Sequence, residues 1–135
     1  MERYLLDGAT LLAAMAAPFR LRAETHAILE DRGNLILISA ATFLDAYALE
    51  AEDRAAFSSL RGKLQSAATQ MGFTAVDTTP AQVDRAATLA AALPWPRRIL
   101  RAQAATAAAP TSVARRAAGV DSARRANKRT QDAAR

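Results

Sequence analysis

Tyr4-Leu5-Leu6-Asp7-Gly8 is the stretch on which the fold of this chain turns. An apolar run over residues 3–6 ends on a single carboxylate, and Gly8 follows as a backbone breaker. A run so short and so bounded predicts a buried strand. Asp7 then stands at its carboxyl end, the edge at which open α/β sheets place their ligands. A carboxylate in that position has two uses: it caps the strand end, or it ligates a metal ion.

Outward from there the pattern alternates. Residues 9–17 are rich in alanine and leucine and predict a helix that Pro18 ends. Residues 21–32 predict another, with Leu21, Thr25, Ile28 and Leu29 on one face, stopped by Gly33-Asn34. Leu35-Ile36-Leu37-Ile38 is too short for a helix between such breakers and predicts a second buried strand. Ser39 caps the helix expected over 40–50, which carries Asp45. One long helix is expected over 52–71, with Phe57, Leu60, Leu64, Ala67 and Met71 near helical spacing. Residues 73–77 predict a third strand. Thr79-Pro80 then opens a helix to Leu93, a capping hydroxyl followed by proline at the first position. Leu93-Pro94-Trp95-Pro96 breaks the pattern, and residues 99–109 carry one more helix before Pro110. Thr111-Ser112-Val113 is a feeble strand candidate. Strands alternating with helices predict an α/β fold: a short parallel sheet flanked by helices on both faces, in three layers.

A chain of 135 residues is one domain able to bury a core. No window approaches the roughly 18 uninterrupted apolar residues of a membrane span. Met1-Glu2-Arg3 sets an acid beside its base, and the run after it stops at Asp7, unlike a secretory signal. The absence of cysteine excludes disulfides and thiolate metal sites, fits a cytoplasmic location, and leaves hard, oxygen-liganded ions such as Mg²⁺ or Mn²⁺ as the metals to expect. The formal charge of +5 is unevenly placed. Residues 1–93 hold 8 Lys/Arg against 11 Asp/Glu, whereas residues 94–135 hold 10 against 2. From Arg101 onward Val113 and Val120 are the only large apolar residues, too few to offset the entropy of ordering the segment. The expected organisation is therefore a folded unit over 1–109 and a basic, Ala/Arg-rich tail over 110–135. The end of the fold is then incomplete or disordered, and the tail is either a solvated end or a nucleic-acid contact.

Most familiar chemistries lack support. His26 is the sole histidine, has no second imidazole for a zinc site, and lies mid-helix, which favours a structural role over catalysis. No G-x-S-x-G, P-loop or G-x-G-x-x-G stretch occurs. Arg97-Arg98 and Arg115-Arg116 are basic pairs without interleaved aromatics, suited to loose phosphate contact. One constellation remains. Asp45 lies six residues after Ser39, on the helix leaving the second strand. If the first two strands are neighbours in a parallel sheet, Asp7 and Asp45 face the same edge. Two carboxylates there can share a divalent ion whose other ligands are water and substrate phosphate. The bland alternative is Asp45 as an ordinary exposed helix residue.

The order of these pieces resembles the PIN-domain ribonucleases of the VapC toxin type. The first is Tyr4-Leu5-Leu6-Asp7 with Leu11-Leu12. The second, Ile38-Ser39-Ala40-Ala41-Thr42-Phe43-Leu44-Asp45, is similar to that family's SA-x-[ST]-x-x-E helix start. Met71-Gly72-Phe73, Val76-Asp77-Thr78-Thr79-Pro80, Ala86-Ala87 and Leu93-Pro94-Trp95 are similar to its later GF…V…T…A…LP stretch. The resemblance covers residues 3–95. It implies a PIN-like domain and a Mg²⁺- or Mn²⁺-dependent endoribonuclease cutting single-stranded or loop RNA. It also implies a cognate antitoxin and, commonly, a homodimer. Asp7 and Asp45 would be the catalytic metal ligands, Asp45 standing one methylene short of the family's usual Glu.

The chain departs from that pattern in three places. Gly8 stands where the family has Thr or Ser. After Pro96 the acidic half of H-R-D-P-F-D-R-[LI]-L-x-A-Q-A is missing, and Arg97-Arg98-Ile99-Leu100-Arg101-Ala102-Gln103-Ala104 keeps only its second half. Thr111-Ser112-Val113-Ala114-Arg115 holds no acid where the family has T-x-D. Two acids must then do the work of three or four, and Arg97 and Arg98 near the edge oppose metal binding. Two alternatives follow: a non-catalytic PIN-fold protein that engages an antitoxin or RNA, or a nucleic-acid binder acting through the basic tail.

Overall fold

The computed structural model of the chain describes residues 2–52, 58–89 and 91–106. Its elements run β1 (Arg3–Leu5), α1 (Gly8–Ala16), α2 (Ala23–Glu30), β2 (Leu35–Ser39), α3 (Ala40–Glu52), α4 (Leu64–Gln70), β3 (Thr74–Val76), α5 (Pro80–Ala86) and α6 (Trp95–Thr106). Short 3₁₀ turns occupy Pro18–Arg20 and Ser58–Leu60. The architecture is mixed α/β, as the alternation predicts: three parallel strands in the order β1-β2-β3, flanked by helices.

Burial specifies β1 and β2, whereas β3 is mostly exposed. Tyr4 and Leu5 in β1 and Ile36, Leu37 and Ile38 in β2 all belong to one core, with Leu11 and Leu12 of α1 and Ile99 and Leu100 of α6. Register pairs Tyr4 with Ile36 and Leu5 with Leu37, then Leu37 with Thr74 and Ser39 with Val76. The strand ends therefore reach the same edge: Leu6-Asp7, Ser39 and Asp77. Across the body, α1 packs on α3, and α6 packs on both α3 and α5.

Three expected elements are corrected. The long helix over 52–71 is broken. Described chain resumes as the Ser58–Leu60 turn, and α4 begins only at Leu64. Gly62 adopts φ +79°, its N–H donates to the Tyr47 hydroxyl at 2.9 Å, and Arg61 bonds the buried Glu50 at 2.8 Å. A left-handed residue cannot continue a helix, and these bonds pin the turn to α3 instead. Phe57 lies outside the described residues.

The second correction concerns the Leu93-Pro94-Trp95-Pro96 break. It is the opening of α6, which starts at Trp95, four residues before the expected start. Proline is tolerated in a first turn because the N–H it lacks has no helical partner there. The helix predicted to run from Pro80 to Leu93 stops at Ala86, although its capping box forms as expected. The Gln82 N–H donates to Thr79 Oγ1 at 3.2 Å, and the Thr79 N–H donates to Gln82 Oε1 at 2.9 Å. The weak strand at 111–113 and the basic tail over 110–135 lie outside the described residues.

Candidate functional site

Asp7 and Asp45 do meet. Asp7 follows β1 as the N-cap of α1, its Oδ1 accepting the Thr10 N–H at 2.8 Å. Asp45 projects from α3 and accepts the Gly8 N–H on Oδ2 at 2.8 Å. Both are buried, 3% and 4% exposed, so Asp45 is not the ordinary surface residue that helix position alone allows. The cap reading of Asp7 is correct, and it does not exclude the other. Capping engages Oδ1, while Oδ2 lies 3.3 Å from a terminal nitrogen of Arg97.

Arg97 reaches both acids. Its Nε stands 4.0 Å from Asp45 Oδ1, and the side chain is 27% exposed. It sits in the first turn of α6, where the helix dipole disfavours a cation; two buried carboxylates offset that cost. Arg98 does something else. Its Nε donates to the Leu93 carbonyl at 2.9 Å, a terminal N–H donates to the Ala91 carbonyl, and the guanidinium lies 4.7 Å from the Trp95 ring centroid. No aromatic is interleaved with the basic pair, but Trp95, three residues before Arg98, stacks on its guanidinium.

Three residues outside the sequence-predicted set hold this geometry. Gly8 is the first. A Cβ there would stand 2.2 Å from the Ala46 backbone nitrogen, so only glycine lets the start of α1 lie on the backbone of α3. Gly8 therefore lets the start of α1 approach α3 closely enough for its N–H to reach Asp45. Thr42 is the second. Its hydroxyl donates to the Leu6 carbonyl at 2.7 Å and accepts the Ser39 N–H at 3.0 Å. The end of β1 is thereby tied to the first turn of α3, one turn from Asp45.

Gln103 is the third. Buried at 3% exposure, it accepts the Ser39 hydroxyl at 2.8 Å. Its amide nitrogen faces the Asp77 carbonyl at 3.2 Å, Thr78 Oγ1 at 2.9 Å and Gln82 Oε1 at 3.1 Å. It fastens α6, and with it Arg97, to the ends of β2 and β3. Ser39 and Thr42 carry a signal in their S-x-x-T spacing, which does not reveal the Leu6 partner, and nothing local in the sequence marks Gln103.

His26 is on the surface, its Nδ1 3.5 Å from Glu30. Among the described residues no group of three or more His, Cys, Asp or Glu side chains is placed to hold a metal ion. The Asp7–Asp45 pair nevertheless has donor chemistry that suits a hard cation, and it already converges on one cationic group, the Arg97 guanidinium. A single Mg²⁺ or Mn²⁺ would be held by Asp7 and Asp45, completed by water and substrate oxygens.

Set against protein-family models, curated proteins and solved structures, the chain matches none of them. No helix among the described residues is long and apolar enough to cross a membrane.

Proposed function

We propose that this chain is a PIN-like, metal-dependent endoribonuclease of the VapC toxin type, the toxin half of a toxin–antitoxin pair acting in the cytoplasm. The observation that supports it is the convergence of two buried carboxylates, one after β1 and one after β2, on a single cationic group at the carboxyl edge of a parallel sheet. Asp7 and Asp45 are the ligands, and a bound Mg²⁺ or Mn²⁺ would polarise a phosphate and lower the pKa of an attacking water. The chain's own residues orient the pair: the Thr10 and Gly8 N–H groups each fix one carboxylate oxygen and leave the other facing the shared cation. The half-exposed Trp95 offers a ring at the same helix start, suited to stacking a base of single-stranded RNA.

The test is cleavage of a single-stranded RNA pool with Mg²⁺ or Mn²⁺, comparing the wild-type chain with Asp7→Ala. Metal-dependent cleavage by the wild type alone is expected. Equal cleavage by both, or by neither, overturns the reading. A specific observation favours a second reading: both acids contact Arg97, and no third acid joins them among the described residues. On that reading the domain is a non-catalytic PIN-fold protein that binds RNA or an antitoxin, the homodimer being its assembly. It expects tight binding of one of these without cleavage.

A further inference from the structure

The two arginines at the start of α6 differ in what they touch, and the difference has a chemical consequence. Arg98 is occupied by backbone carbonyls of the preceding loop and by Trp95. Arg97 instead places its guanidinium against Asp7 Oδ2 and beside Asp45 Oδ1, with carboxylate side chains only 4% and 6% exposed. The other oxygen of each acid already accepts a main-chain N–H, from Thr10 and from Gly8. Two negative charges this buried require a cation between them or a shared proton. In this fold the guanidinium is that cation.

A divalent ion would need the same two oxygens. Its positive charge and that of Arg97 cannot share so small and so poorly hydrated a space without strong repulsion. We infer that Arg97 is the resident counter-cation of the Asp7–Asp45 pair, and that a divalent ion enters only by displacing it. The inference rests on the metal-site reading proposed above and adds its regulation: metal affinity is set by how firmly α6 holds Arg97 in place. Gln103 supplies that hold, because its bonds to Ser39, Thr78 and Gln82 fasten α6 to the sheet edge.

The experiment is a Mn²⁺ titration of the full chain, read by electron paramagnetic resonance of the free ion. Arg97→Met keeps most of the apolar stem of the side chain and removes its charged guanidinium. It is expected to tighten Mn²⁺ binding by about tenfold or more, the order of coupling commonly found between two linked equilibria. Arg98→Met should leave the affinity unchanged, and adding Asp45→Asn to Arg97→Met should abolish the gain. A second measurement needs no variant. In the wild type, the Arg97 Nε–H signal, set without metal by the neighbouring Asp45 carboxylate at 4.0 Å, should shift at high Mg²⁺.

Equal Mn²⁺ affinity in wild type and Arg97→Met, or an Nε–H that Mg²⁺ leaves unchanged, overturns the inference. RNA cleavage is scored separately. Tightened Mn²⁺ binding without cleavage would keep this inference and remove the ribonuclease reading.

Discussion

Asp7 does two jobs with one carboxylate, because a carboxylate has two oxygens. One oxygen caps α1 and the other faces Arg97, so the choice between cap and ligand posed by the sequence has no single answer. Gly8 is the less obvious determinant. Its hydrogen atom faces the peptide backbone at Asp45-Ala46, and even a methyl group has no room. Gly8→Ala should therefore push α1 off α3 and destabilise the chain by at least about 2 kcal/mol, as overpacking against rigid backbone does. Urea unfolding followed by circular dichroism measures it. A change under about 0.5 kcal/mol would mean the two helices separate freely. The same substitution should also break the Gly8 N–H bond that orients Asp45, so the proposed nuclease activity should fall with stability.

At the scale of elements, the site is assembled by the caps and ends of helices, with the strands supplying only the edge. Ser39 and Thr42 form a reciprocal cap on α3, and the Thr42 hydroxyl then spends its proton on the Leu6 carbonyl, 36 positions earlier in sequence. Thr42→Val preserves shape and removes that hydroxyl. It should cost about 1–3 kcal/mol, the usual penalty for leaving buried groups unsatisfied. Hydrogen exchange should show faster opening of the Ser39 and Leu6 amides; unchanged exchange would show that the bond contributes nothing. The cap was legible as S-x-x-T spacing, but its second partner was not, since no local pattern encodes a contact over so long a separation.

Misplaced helix boundaries have an equally physical origin. The apolar spacing over 52–71 is genuine, yet Gly62 in a left-handed conformation, held by Tyr47, overrides it. The start of α6 was obscured because proline ends most helices but is welcome in the first turn of one. Placing that start at Trp95 instead of Ile99 puts Arg97 inside the helix, which is what directs it to the two acids.

For the whole molecule the governing fact is the separation of charge. Residues 110–135 hold 7 Lys/Arg against 2 Asp/Glu, while the buried pair of acids lies at the opposite end of the sequence. The core residues Ile99 and Leu100 and the buried Gln103 all precede the tail. Removing residues 110–135 should leave the melting temperature within a few degrees of the full chain. If the tail carries the proposed contact with single-stranded RNA, its removal should also flatten a log–log salt slope of about −0.7 per phosphate neutralised. Filter binding from low to moderate salt, with a melt on each form, checks both. An unchanged slope would place RNA contact on the folded body instead.

The sequence by itself determined the class of fold, because strands of three to five residues between glycine and proline breakers have few alternatives, and a right-handed parallel crossover orders them. It gave Asp7 and Asp45 a shared edge only on the condition that the first two strands pair in parallel, and the structure supplies that pairing. Only the tertiary structure decided what stands between them. Arg97 is 90 positions from Asp7, and its role depends on where α6 begins and on which sheet-edge groups Gln103 grips. Local periodicity carries no information about either. A charge is placed by packing, and packing exists only once the chain has closed on itself.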